Sequence, residues 1–89
     1  MPFSTLAALC ARRELSPNDV REKLRKMQVA PAEAEHILKE LIAQDFVNEA
    51  RYAHAFVHDK IAYNGWGILK LRAALRQKGI ADPIIAEAL

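Results

Sequence analysis

His54 and His58 stand four residues apart with Asp59 beside the second, a spacing that brings two imidazoles on one helical face within reach of a single cation. A structural zinc site wants four ligands and a catalytic one three, so the pair reads as two surface histidines and no metal is expected. Cys10, the single cysteine, cannot close an internal disulfide. A buried apolar role suits it. A reactive or redox-sensing thiol would need a neighbourhood that stabilises the thiolate, and Arg13 is the only local sign of one. Ser4, Thr5 and Ser16 read as helix caps, since none lies beside a plausible base. Gly65, Gly67 and Gly79 form no phosphate-binding loop, so no cofactor is expected. No catalytic residue is nominated, and the chain reads as a protein that is not an enzyme.

The chemistry that remains is electrostatic. Arg21 with Arg25 and Arg72 with Arg76 are i, i+4 pairs beside apolar helix stripes, and Lys70 and Lys78 add to the second pair. The net charge of +2 hides a division: residues 1–30 and 51–81 are basic, whereas 31–50 and the tail are acidic. No acid occurs from Ile61 to Ala81, and an uncompensated basic stretch beside the Gly65-Trp66-Gly67 turn suits phosphate or acidic protein surfaces. A second reading stays open, in which basic stems cover the stripe edges while their heads stay in water. Trp66 is similarly divided: it fills core between units, or it stacks on a base or anchors a protein contact. Partial burial at a junction between units is expected for it. The candidate protein- or DNA-binding residues are Arg21, Arg25, Trp66, Lys70, Arg72, Arg76 and Lys78.

The elements that must position these residues come from a repeat. Arg21, Leu24, Arg25, Val29, Ala30 and Leu38 align without a gap on Arg72, Leu75, Arg76, Ile80, Ala81 and Leu89, identical except for Val29/Ile80. Matched positions keep their duties, apolar on one face and basic at its edge, which marks one folding unit used twice. Leu6 over Val57, Cys10 over Ile61 and Val20 over Leu71 extend the register, so each unit spans three helices.

Apolar residues recur near the helical period throughout, and no segment alternates as a strand, so the fold is all-α with about six helices. Helix one carries Leu6, Leu9 and Cys10 and ends near Glu14. Ser16, Pro17 and Asp19 supply a cap, a first-turn proline and a capping-box acid for helix two, which carries Val20, Leu24 and Met27. Pro31 opens helix three, whose stripe of Ala34, Ile37, Leu38, Leu41 and Ile42 places it centrally. Asn48 caps helix four, which buries Ala53, Phe56, Val57 and Ile61, with Phe46 as a staple at its start. Helix five carries Ile68, Leu71 and Leu75 and stops at Gly79. Asp82 and Pro83 cap a last short helix with Ile85, Ala88 and Leu89. The expected domains are a first three-helix repeat at 1–47 and a second at 48–89, helix-turn-helix-like.

Size and composition exclude several classes. At 89 residues the chain builds one domain or two small units, too little for a large catalytic cleft. No apolar run approaches the ~18 residues of a membrane span, and the stretch from Met1 to Ala11 lacks the basic leader of a signal peptide, so a reducing cytoplasm is the expected setting.

Arg13, Ser16, Val20, Lys23 and Leu24, then Phe46 through Ala53 with Phe56 and Val57, then Gly67 through Leu89 together resemble the RecX family of regulatory proteins. The stretch from Leu71 to Ile80 is the most specific part. The resemblance implies an elongated array of tandem three-helix units that lies in the groove of a RecA filament on single-stranded DNA. It implies inhibition of the recombinase, ATPase and co-protease activities, with places in homologous recombination, DNA repair and the SOS response. Family members usually carry a third unit, whereas this sequence stops after the second. Ile84, Ile85 and Leu89 are more apolar than an end facing water requires, which suits a fragment or an end that dimerises. Asp45, where the family often has glycine, and Gln28, the counterpart of Gly79, depart from the pattern. The rival class is a non-specific DNA-binding helical protein. Against reading of specific bases, neither second helix offers the set of Asn, Gln and Arg usually aimed at base edges, as Gln77 stands alone.

Overall fold

Prolines sit in the first turn of four helices, and left-handed residues at Gln28, Asp45 and Gly79 follow the ends of three, so the chain is punctuated by rigid starts and stops. The computed structural model describes residues Met1–Leu89 as α1 (Pro2–Arg12), α2 (Pro17–Lys26), α3 (Pro31–Ala43), α4 (Glu49–Asp59), α5 (Ile68–Gln77) and α6 (Asp82–Ala88), with no strand. Ser16 and Asp19 form the capping box at the head of α2: Ser16 Oγ accepts from the Asp19 N–H and Asp19 Oδ2 from the Ser16 N–H, both at 3.0 Å. Asn48 Oδ1 accepts from the Arg51 N–H at 2.9 Å and caps α4.

The helix stops repeat in detail. Gln28 and Gly79 both turn left-handed, at φ 63° and 86°, and each is followed by a bond that reaches back one full turn, Val29 N–H to Leu24 O and Ile80 N–H to Leu75 O. Asp45, at φ 62°, ends α3 the same way, with Phe46 N–H reaching Leu41 O. These are Schellman stops, and Gln28 and Asp45 supply without glycine the backbone form that Gly79 adopts freely.

Each half buries its own apolar cluster. α1 and α2 pack on α3 around Leu6, Leu15, Val20, Leu24, Ile37, Leu38 and Leu41. α4 and α5 pack on α6 around Tyr52, Ala53, Val57, Leu71, Leu75, Ile80 and Ile85. The repeat-matched pairs Val20/Leu71 and Leu24/Leu75 thus fill equivalent places in two separate cores. The whole is elongated, measuring 38 × 23 × 22 Å.

Between the cores the contacts are polar. The Asn18 N–H donates to Lys78 O at 3.1 Å, and Asn18 Nδ2 to Gln77 O at 2.6 Å. Unsatisfied donors at the start of α2 therefore meet unsatisfied carbonyls at the end of α5. Lys78 Nζ lies 3.0 Å from Asp19 Oδ1, and Arg51 spans the same seam to Glu14 at 2.6 Å while also holding Asp45 and Phe46.

Several expected core positions are exposed, and all lie where a helix runs past its core. Ile42, at the end of α3, and Met27, just beyond α2, face water. Ile61, expected opposite Cys10 in a buried site, is 55% exposed because α4 widens into a π-helical turn over Lys60–Asn64 that carries it off the packed face. Ile68, at 59%, occupies the first turn of α5, before the helix meets α6. Asp82 caps nothing with its side chain: Ala81 is the N-cap of α6, and Asp82 pairs with Arg76 at 2.9 Å. Ile85 is buried in its own unit, leaving Ile84 half-buried and Leu89 partly exposed at that end.

Candidate functional site

Helix α2 has two basic edges flanking its buried Val20 and Leu24. Arg21 and Arg25 form the edge toward α3, and both are ion-paired: Arg21 Nε with Glu35 Oε2 at 2.8 Å, Arg25 Nη2 with Glu22 Oε1 at 2.6 Å. These pairs hold both guanidiniums charged, and Arg21 in turn draws the Glu35 carboxyl below its ordinary range. Lys23 and Lys26 form the other edge, toward the junction, and neither joins an ion pair. Helical spacing sends i and i+4 to one edge and i+2 and i+5 to the other.

The basic stretch of the second unit is compensated from outside itself. Arg76 is held by Asp82, and Lys78 by Asp19 across the junction. Burial pushes the Asp19 carboxyl up, but hydrogen bonds from Ser16 and Lys78 outweigh it and the group titrates below its ordinary value; the bond to Asp19 raises Lys78. Arg72 is half-buried and its Nε has no hydrogen-bond partner. Lys70 Nζ stands 4.3 Å from the centre of the Trp66 ring, and Lys60 Nζ 5.0 Å from it.

Trp66 is partly buried against the second core, beside Phe56 and Lys60, which line a cleft together with Arg13 and Glu14 of the first unit. Its ring meets Phe56 edge-on at 6.0 Å, and Phe56 stacks on Tyr52. Cys10 is half-buried against the first core, where burial and Glu14 push the thiol up, so no thiolate is favoured. His54 and His58 are exposed on α4.

Two clefts of about 340 Å³ each run along the junction and share Arg13, Glu14 and Tyr52. One extends to Lys60 and the other to Lys23, Lys26 and Lys78. The unpaired cations Lys26, Lys23, Arg13 and Lys60 therefore line these two adjoining clefts; of the carboxylates that share them, Glu22, Glu14 and Asp19 are taken by Arg25, Arg51 and Lys78, and Asp59 is left without a partner. Arg21 and Arg25, the residues of α2 expected from the sequence, are ion-paired, whereas Lys23 and Lys26 on its other edge are not. The signals in the sequence are the acid content of α3, which supplies Glu35 to Arg21, and the i, i+3 spacing of Glu22 and Arg25 within α2.

A family model described as RecX, second three-helix domain, matches residues 48–89. The regulatory protein RecX of Halorhodospira halophila is 32% identical over 81 residues, which cover 91% of this chain and 50% of that relative. A crystal structure of regulatory protein RecX superposes with a TM-score of 0.90 at 28% identity, covering 99% of this chain and 43% of the other. The crystal structure of RecX from Lactobacillus salivarius, 24% identical with a TM-score of 0.84, covers 99% of this chain and 57% of that one and shares the fold. The chain spans about half the length of the curated relatives it matches. With two three-helix units in tandem, their stops and cores in register, the chain belongs to the RecX family of regulatory proteins.

Proposed function

We propose that this chain is a non-catalytic binding protein of the cytoplasm that lies along a RecA filament on single-stranded DNA and restrains its recombinase, ATPase and co-protease activities. The observation that carries the reading is the set of unpaired cations that lines two adjoining clefts of an elongated molecule, Lys26 to Arg13 to Lys60. Such a set is complementary to a surface rich in phosphates or carboxylates. The working units are residues 1–47 and 48–89, whose contacts add along the filament.

In this reading Lys70 and Arg72 also engage the filament, and Trp66 acts by holding Lys70 and Lys60 against its ring. Arg21, Arg25 and Arg76 contribute by exchanging their exposed, weakly held partners for the filament's own anions. Lys78 acts mainly by holding the two units in line. Weak, non-specific nucleic-acid binding follows from the same charges and should fall steeply with salt.

The test is hydrolysis of ATP by the cognate RecA on single-stranded DNA as the chain is titrated in. Dose-dependent inhibition is the expected result. An unchanged rate at saturating chain would refute inhibition by this chain.

A further inference from the structure

We propose that the corner between α4 and α5 is a docking surface for an amphipathic protein helix bearing aliphatic and acidic side chains. Four large apolar residues stand in water within this short stretch: Ile61 at 55% exposure, Tyr63 at 81%, Ile68 at 59% and Leu69 at 84%. Local geometry puts them there. The π-helical turn over Lys60–Asn64 and the left-handed Gly65 carry Ile61 and Tyr63 away from the second core, and Ile68 and Leu69 follow in the first turn of α5. π turns of this kind recur at functional sites. Isolated exposed apolar residues need no explanation, but a group this dense marks an interaction surface.

The chemistry of the corner selects its occupant. Three aliphatic side chains offer apolar area and no stacking face, which favours protein over a nucleic-acid strand. The one tryptophan is already engaged, with Lys70 and Lys60 against its ring and Phe56 meeting it edge-on, which leaves Tyr63 as the free aromatic. The charge is mainly positive, with Asp59 the nearest acid in sequence, just before the turn. Lys60 and Lys70 converge on Trp66, and no acid occurs from Ile61 to Ala81, so glutamates or aspartates flanking an apolar stripe would find cations opposite them. A helix laid into such a surface presents that combination at i, i+3, i+4 and i+7.

This docking goes beyond the filament reading and is observable without a recombinase. A fluorescein-labelled helical peptide with leucines on one face and glutamates at its edges is titrated with the whole chain, and its anisotropy is followed together with the emission of Trp66. Saturable binding is expected, with Trp66 emission changing in step. Ile68→Ser/Leu69→Ser should weaken it about tenfold or more while leaving the helical circular dichroism unchanged, because both side chains are already in water. Should that pair disturb folding, Leu69→Ser alone carries the comparison. A peptide with lysine in place of glutamate should not bind. Equal binding of the lysine peptide, or no loss in the serine variants, overturns the proposal. So does preferential capture of an oligo-dT strand that Lys60→Glu/Lys70→Glu abolishes and Leu69→Ser leaves intact, which would assign the corner to nucleic acid.

Discussion

Gly79 holds a φ of 86°, and a Cβ at that position would sit 3.0 Å from Asn18 Oδ1, the side chain that ties the first unit to the second. Gly79→Ala should therefore cost about 1–2 kcal/mol from the left-handed backbone, and more as Asn18 is displaced. Its repeat counterpart Gln28 takes the same backbone form with a side chain in place. Gln28→Gly should be stabilising by about 0.5–1 kcal/mol, since relief of the strained φ outweighs the greater freedom of glycine in the unfolded chain. Urea melts of both variants measure this, and equal shifts of the same sign would remove the equivalence of the two stops. Ser16 is fully buried and completes the capping box of α2, so Ser16→Ala should lower stability by about 1–2 kcal/mol.

At the scale of the helix, α2 shows what the sequence makes legible and what it hides. Its buried stripe, Val20 and Leu24, follows from the 3.6 period and was readable, as were the Ser16 and Asn48 caps, because all of these are local. Ile42, Ile61 and Ile68 fit the same period and yet are exposed, since periodicity does not say where a neighbouring helix ends. Charge pairing was hidden for a related reason. Glu35 reaches Arg21 from 14 residues away and Asp19 reaches Lys78 from 59, and no spacing rule within one helix announces either. The exposed Arg21 pair is weak: Arg21→Ala should cost less than about 1 kcal/mol in thermal melts, against about 2–5 kcal/mol for Leu24→Ala on the adjacent buried face. A larger loss at Arg21 would mean that the pair organises the packing of α2 on α3.

At the scale of the molecule, two cores that do not merge are aligned by a polar seam of Asn18, Asp19, Lys78, Arg51 and Glu14. The pH dependence of its ion pair follows from the two shifts. Asp19 is lowered on folding, so its contribution is present above the ordinary aspartate range and is lost as pH falls through the lowered value; Lys78 is raised, so its share is present below the ordinary lysine range and is lost as pH rises through the raised value. The stability difference between the parent and Lys78→Met should thus be widest between those limits and shrink toward both, and a flat difference would show the pair to be idle. Holding the units in line also keeps Lys26, Lys23, Arg13 and Lys60 along the two adjoining clefts, where the filament contact is proposed. The most direct measurement is the affinity of the chain for preformed RecA filaments on single-stranded DNA, comparing Arg13→Glu/Lys23→Glu/Lys26→Glu with Arg21→Glu/Arg25→Glu at matched melting temperature. The unpaired set should lose affinity by more than tenfold and well beyond the paired set; equal losses, or a greater loss from the paired arginines, would contradict the assignment of the contact to the junction side.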